Sequence, residues 1–209
     1  METPVLSILK VHRIQGRAEL TLSNNEILVM PRSLLKERPY KSGMAFDRDA
    51  FNELVSKRSF HYALEKAVSL LASRARSEKE IVSALQKNAY NEQTIARVME
   101  KLHDAGYIND ADFAEQWAAS RSIKGLGPRR IQMELRMKGV SSEQVEHTLH
   151  SLSDDDLLES AIKTAQKATR GKDLTSASDR QKVLAALSRR GFDYSLSKRA
   201  IQHLLDHEC

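Results

Sequence analysis

Basic side chains concentrate in one short segment of the chain, and their chemistry is that of anion binding. Between residues 121 and 138 there are six basic residues against one acid, Glu134, a net charge of +5. The six are Arg121, Lys124, Arg129, Arg130, Arg136 and Lys138. Guanidinium groups match the geometry of phosphate and carboxylate oxygens. The segment therefore predicts a surface for phosphate groups or for an acidic protein.

A helix predicted over residues 128–138 would present part of this cluster outward. At about 100° per residue, Ile131 and Leu135 face the core. The residues on the opposite side are Arg129, Met133 and Arg136, with Arg130 flanking them. Four later cations that could extend the surface are Arg189, Arg190, Lys198 and Arg199. A solvated helix face would also explain these charges, but their concentration in one segment favours binding.

Other groups that could do chemistry have simpler explanations. Two histidine pairs lack a third ligand at metal-binding spacing, so we interpret them as solvated. They are His147 with His150 and His203 with His207. The acidic run 154–156 precedes a helix, where it favours the macrodipole. The stretch 125–128 lacks the Lys-Ser/Thr of a phosphate-binding loop. We therefore predict no catalytic site, no metal and no cofactor, and a protein that is not an enzyme.

Composition narrows the class of protein. Of the 209 residues, 29% are charged and 5% aromatic, which favours helices with solvated faces. No apolar run approaches the roughly 20 residues of a membrane span, and no secretory signal pattern is present, so we expect a cytoplasmic protein. The single cysteine, Cys209, excludes a disulfide or a cysteine metal cage within one chain, and we interpret it as an inert thiol.

An apolar pattern recurs three times, about fifty residues apart. Its copies include Ile81, Leu85 and Ala89; then Ile131, Leu135 and Gly139; then Val183, Leu187 and Gly191. Self-similarity at a fixed period indicates stacked modules, each too small to bury its apolar face alone. An array of this kind generally binds something long, so it points away from a single catalytic pocket.

Each copy reads as three helices joined by short connections. A capping box begins with Ser77, Pro128 suits a first helical position, and Gly139 suits a left-handed helix end. The predicted helices span 60–75, 78–88, 92–105, 111–124, 128–138, 142–151, 155–169, 179–190 and 194–207. Phe113 and Trp117 lie four apart in the fourth of these. Trp117 could be an exposed platform for stacking bases, but the spacing favours a place in the core.

The first 60 residues read differently. Short alternating runs at 5–11, 18–22 and 26–29 predict three strands at most, with a hairpin at Asn24-Asn25. A helical stretch from Ser33 to Glu37 is stopped by Pro39, and Asp47 caps a further helix. The fold class is therefore mainly α: three tandem three-helix repeats in an elongated, curved array behind a small N-terminal α+β cap. The predicted domains are 1–59, 60–108, 109–153 and 154–209.

Three motifs resemble the RecX family, regulators of the RecA recombinase. They are Leu70 to Ile81 (LLASRARSEKEI), Gly106 to Ala114 (GYINDADFA), and Gly125 to Ile131 (GLGPRRI) followed by Glu134-Leu135 and Lys138-Gly139-Val140. The similarity covers roughly residues 60–207, with a looser match over the cap. One departure is Asn88-Ala89-Tyr90, where the family usually has Lys-Gly, and this weakens the expectation of a sharp turn there.

The resemblance implies a non-enzymatic protein that lies in the groove of the RecA–single-stranded DNA filament and inhibits its ATPase and strand exchange. It also implies roles in homologous recombination, DNA repair and the SOS response, with DNA contacted directly or through the filament. The basic segment of the second repeat would carry the contacts, and we expect a monomer. Two alternatives stay open: a stand-alone nucleic-acid-binding protein of the helix-turn-helix kind, and a helical scaffold for an acidic protein.

Overall fold

A computed structural model describes residues 6–207, which form nine α-helices after a small three-stranded sheet. This confirms the mainly helical fold with an N-terminal α+β cap. The chain divides into two compact units, the first ending at Ile108 and the second beginning at Asn109. Val5, where the first strand was expected to begin, and Cys209 lie outside the described residues. The division into four domains stays a prediction.

The cap is built on an antiparallel sheet with strand order β1-β2-β3. The strands are β1 (Ile8–Ile14), β2 (Arg17–Leu22) and β3 (Ile27–Pro31). The hairpin expected at Asn24-Asn25 is present, with Asn25 at φ 64°. A second hairpin was missed: β1 runs on to Ile14, which pairs with Arg17 across a turn containing Gly16 at φ 85°. Glycine adopts this left-handed backbone without strain.

One face of the sheet forms the cap's core. Ala18, Leu20 and Leu22 alternate along β2 and are fully buried, as period-2 patterning requires. The stretch expected to be helical after Pro31 is a 3-10 helix, Arg32–Lys36. Other buried members of this core are Ile8, Met30, Leu34, Tyr40, Phe46 and Phe51.

The first α-helix, α1 (Arg48–Ser73), corrects one prediction. The helix expected to begin after Asp47 and the one expected over 60–75 are a single 26-residue element. The sequence from 48 to 73 contains no glycine or proline, so nothing interrupts the helix. Its start packs in the cap through Phe51, and its later residue Ala63 packs in the core of the first repeat.

The other helices begin and end within two residues of their predicted bounds. They are α2 (Glu78–Lys87), α3 (Glu92–Asp104), α4 (Asp110–Ile123), α5 (Pro128–Met137), α6 (Ser142–His150), α7 (Asp154–Ala168), α8 (Ala177–Arg189) and α9 (Tyr194–His207). The capping box is confirmed, since the Ser77 side chain accepts a hydrogen bond from the backbone of Glu80. Within residues 6–207, no helix is both long and apolar enough to cross a membrane.

The three repeats end their second helices in the same way. In each, the residue after the helix cap has positive φ: Ala89 at 60°, Gly139 at 88° and Gly191 at 92°. The next residue donates its N–H five positions back: Tyr90 to Leu85, Val140 to Leu135 and Phe192 to Leu187, at 3.2–3.3 Å. This is a Schellman turn. The turn of the first repeat is therefore formed without its glycine.

Each repeat has its own core around the apolar pairs found in the sequence. Ile81 and Leu85 are fully buried between α1, α2 and α3. The corresponding pairs, Ile131 with Leu135 and Val183 with Leu187, are fully buried in the cores of α4–α6 and α7–α9. The repeated apolar positions thus serve packing.

Candidate partner-binding surface

The outer side of α5 carries exposed arginines and methionines, as its helical projection predicted. Arg129 and Arg136 are exposed, and Met133 is 42% exposed. Met137, which the projection did not single out, is 60% exposed. It lies four residues after Met133, and that spacing was the signal for it. We call these four residues the α5 face.

Glu134 binds two of the predicted basic residues, Arg121 and Arg130. Its carboxylate accepts a hydrogen bond from Arg121 Nε at 2.7 Å and from Trp117 Nε1 at 3.1 Å. Arg130 Nε lies 3.6 Å from the other carboxylate oxygen. Only 15% of the Glu134 side chain is exposed. Arg121 therefore joins α4 to α5, and Arg130 pairs with Glu134 within α5, in addition to any contact with a partner.

Trp117 packs against the core of the second repeat, which favours the core interpretation over the stacking platform. Its ring stacks on buried Phe113 with centroids 5.7 Å apart. Two cations cover it: the Arg121 guanidinium carbon and Lys138 Nζ each lie 4.0 Å from the ring centroid. Cation–π contacts of this kind hold the cations as well as the ring. Lys138 thus also contributes to the structure of the repeat.

Two glycines let the third repeat approach the start of α5 within the second unit. A Cβ on Gly127 would lie 2.4 Å from the backbone of Gly191, and a Cβ on Gly191 would lie 2.4 Å from the Arg130 nitrogen. The close approach is hydrogen-bonded, because Gly127 N–H donates to the Arg190 carbonyl at 2.9 Å. Only glycine fits at positions 127 and 191.

This approach brings together basic residues that are far apart in sequence. Arg190 Nη1 donates to the Lys124 carbonyl at 3.3 Å, and Arg129 N–H donates to the Gly191 carbonyl at 3.1 Å. Lys124, Arg129 and Arg190 therefore meet where the α4–α5 and α8–α9 turns pack, next to the α5 face. Sequence spacing alone could not show this, since the contact depends on how the repeats pack.

The remaining predicted residues are less closely tied to this surface. Arg189 is exposed at the last position of α8, beside Arg190. Lys198 and Arg199 are exposed on α9, and their membership of the surface stays a prediction. Tyr194 was not among the residues predicted from the sequence. It is 69% exposed and, with Arg129, lines a cavity of about 300 Å³.

The histidines and the acidic run have local structural roles. His203 and His207 stack with centroids 4.1 Å apart, and His150 Nδ1 lies 2.7 Å from the Glu146 carbonyl oxygen. In the part of the chain that the structure describes, no three His, Cys, Asp or Glu side chains come together as a metal site would require. Residues 154–156 form the first turn of α7, behind the cap Ser153.

Family models match all three repeats. The first, second and third three-helix domains of RecX match residues 63–102, 109–149 and 154–201. Together the matches cover more than half of the chain, and they coincide with the three cores described above.

Curated relatives carry the name regulatory protein RecX. The one from Bacillus pumilus is 27% identical over 192 residues, which cover 91% of this chain and 73% of that protein. The one from Bacillus velezensis is 32% identical over 142 residues, 67% of this chain and 54% of that protein. The chain thus spans about half the length of the second relative.

A solved structure shows the same fold. The crystal structure of a regulatory protein RecX superimposes with a TM-score of 0.62, covering 93% of this chain and 98% of that one, at 22% sequence identity. At this identity the likeness concerns the fold alone.

Proposed function

The chain belongs to the RecX family, and from this premise we propose that it binds the RecA–single-stranded DNA filament, in its groove, and inhibits ATP hydrolysis and strand exchange. It acts as a regulator and not as an enzyme, in the cytoplasm, and its work belongs to homologous recombination, DNA repair and the SOS response. The observation that carries the proposal is the α5 face, beside the junction of Lys124 and Arg190.

The composition of this surface favours a protein partner over bare nucleic acid. Protein interfaces are enriched in arginine and methionine and depleted in lysine. The α5 face has two of each enriched type, with Met133 and Met137 exposed to 42% and 60%. Phosphate contacts alone would not account for exposed methionines, which lose contact with water only against an apolar partner surface.

Inhibition follows if the chain binds one state of the filament better than another. A bound protein shifts a conformational equilibrium by its difference in affinity for the two states. A filament subunit changes its contacts as it turns over ATP, so a protein that bridges subunits would resist that change. Several weak contacts, made together, reinforce each other through effective concentration.

The test is a titration of the chain into RecA on single-stranded DNA, with ATP hydrolysis and strand exchange as readouts. We expect inhibition at substoichiometric amounts. The double variant Arg129→Gln/Arg136→Gln should need about 30-fold more protein, since two interface arginines at roughly 1 kcal/mol each give that factor. The matched control is Lys167→Gln/Arg170→Gln, two exposed cations outside this surface with the same loss of charge.

Each result has a clear meaning. Equal inhibition by the two double variants would remove the α5 face from the proposal. No inhibition by an equimolar amount of the unmodified chain would contradict the proposed function. Sequence-preferring binding to DNA without RecA would instead support a stand-alone nucleic-acid-binding protein. Nuclease-resistant capture of an acidic protein in place of RecA would support a scaffold.

A further inference from the structure

The first unit contains a basic cleft between the N-terminal cap and the first repeat, and the proposed function does not use it. Its volume is about 890 Å³. One wall comes from the β1–β2 hairpin and the 3-10 helix, and the other from α1 and α2. The five basic residues that line it are Arg13, Arg32, Lys36, Lys66 and Lys87. Glu65 is the single acidic residue in the lining.

The charges of the cleft are not neutralised inside the unit. All five basic side chains are exposed, and within residues 6–207 none of them forms a salt bridge. By contrast, cations elsewhere in the unit, such as Arg48 with Glu26 and Arg58 with Glu37, are paired. Five cations around one concave surface with a single carboxylate concentrate positive potential, because low-dielectric walls focus the field.

Asn88 and Tyr90, just after α2, fix the walls of the cleft. Asn88 packs on Gly16 so closely that a Cβ there would lie 2.4 Å from Asn88 Oδ1. Tyr90 and Ser33 hydrogen-bond through their hydroxyl groups at 3.0 Å. Burial raises the pKa of the Tyr90 hydroxyl, so it stays protonated and neutral at physiological pH. Asn88 and Tyr90 thus hold the cap against α2, and the cleft exists before any ligand binds.

A second tyrosine of the lining is also held in place. Tyr62 is half-buried, and its hydroxyl donates to Glu37 at 2.6 Å. Lys36 Nζ lies 5.8 Å from the ring centroid. A positively charged groove with a fixed aromatic ring is how proteins bind single-stranded nucleic acid, because phosphates pair with the cations and a base stacks on the ring. An acidic peptide would pair with the cations but supplies no base to stack on the ring.

We propose that this cleft binds the phosphodiester backbone of a single-stranded nucleic acid. The site is separate from the α5 face and does not rest on the proposed function, because it requires no recombinase. It gives the cap a role of its own, as a direct contact with the strand.

The test measures binding of a fluorescent 20-nucleotide oligo-dT to the full chain without RecA. All variants carry Arg129→Gln/Arg136→Gln, which removes the α5 face from the measurement. The cleft variant adds Lys36→Gln/Lys66→Gln/Lys87→Gln. Its matched control adds instead substitutions of three exposed lysines outside the cleft, Lys10→Gln/Lys79→Gln/Lys101→Gln. Circular dichroism shows whether each variant is folded.

The expected effect follows from counterion release. Each phosphate contact with a single strand contributes about 0.7 to the slope of log affinity against log salt. Losing three contacts should therefore lower the slope by about 2 and the affinity at 0.1 M salt by about 100-fold. The control should keep the slope of its parent. Equal losses in both variants would overturn the proposal, and so would equal displacement of the oligonucleotide by poly-glutamate of matched charge, which would assign the cleft to an acidic protein segment.

Discussion

Replacing Ala89 by glycine should stabilise the protein, although the change removes a side chain. Ala89 is the residue after the helix cap in the first Schellman turn, with φ at 60°. The corresponding residues in the other repeats are Gly139 and Gly191, with the same backbone hydrogen bonds. An L residue in this region brings its Cβ close to the following carbonyl oxygen, and glycine has no such contact.

The magnitude follows from two opposing terms. Left-handed backbone costs a non-glycine residue roughly 1–2 kcal/mol. Glycine has more freedom in the unfolded chain, which costs about 0.4–1 kcal/mol on folding. We therefore expect Ala89→Gly to raise the free energy of unfolding by about 0.5–1 kcal/mol. For a chain of this size that corresponds to an increase in Tm of about 2–3 °C.

Urea unfolding, followed by circular dichroism at the helical minimum, measures this change. Gly139→Ala is the mirror experiment in the second repeat, where φ is 88°. It should lower the free energy of unfolding by about 1 kcal/mol. Trp117, the chain's one tryptophan, lies in the second unit, so its fluorescence should follow unfolding around Gly139. Destabilisation by Ala89→Gly, alongside destabilisation by Gly139→Ala, would refute the reasoning for Ala89.

Three further predictions concern packing, the Glu134 network and pH. Gly127→Ala should lower the free energy of unfolding by about 3 kcal/mol, because its Cβ would lie 2.4 Å from backbone atoms that cannot move aside. Gly171→Ala, whose Cβ would have nothing within 4 Å, should lower it by only about 1 kcal/mol. Thermal melts compare the two, and equal costs would count against the steric argument. Glu134→Ala should lower the free energy of unfolding by about 2 kcal/mol and shift tryptophan emission, because it leaves two hydrogen-bond donors without their acceptor. Its control is the exposed Glu146→Ala, which should change the free energy of unfolding by less than about 0.5 kcal/mol, as is usual for surface substitutions. Hydrogen bonds from a tyrosine hydroxyl and then an arginine lower the pKa of Glu37 from its ordinary 4.5, so its stabilisation is present above pH 4.5 and is lost as pH falls through the lower folded-state pKa. Stability measured from pH 6 to pH 3 should decline more steeply in the unmodified chain than in Glu37→Gln, and parallel curves would exclude this role.

Most of the helices could be predicted from the sequence because their apolar positions and end signals agree. The Ser77 capping box and Pro128 at the start of α5 fixed helix starts to the residue. The predicted helix boundary before Phe60 was wrong because it was placed where the apolar pattern changes, although no residue there ends a helix. The hairpin at Gly16 was missed because a lone glycine is a weaker turn signal than Asn-Asn between two runs.

The candidate surface could be predicted only in part. Periodicity correctly placed Arg129, Met133 and Arg136 outside, because helix geometry relates residues a few positions apart. It could not distinguish outward cations from Arg121, which is held by Glu134 in a neighbouring helix. Nor could it show that Arg190 lies at Lys124, because that contact depends on the packing of two repeats. The basic cleft has the same origin, since its lining comes from four separate stretches of the first unit.

The most direct test of the central claim is the affinity of the fluorescently labelled chain for three targets: the preassembled RecA–single-stranded DNA filament, RecA alone, and the same DNA alone. We predict that the filament binds at least about tenfold more tightly than either component, because the surface joins arginines for charged groups with methionines for an apolar protein surface. Arg129→Gln/Arg136→Gln should reduce that preference. Equal affinity for the filament and for naked DNA, unchanged in the double variant, would contradict the account.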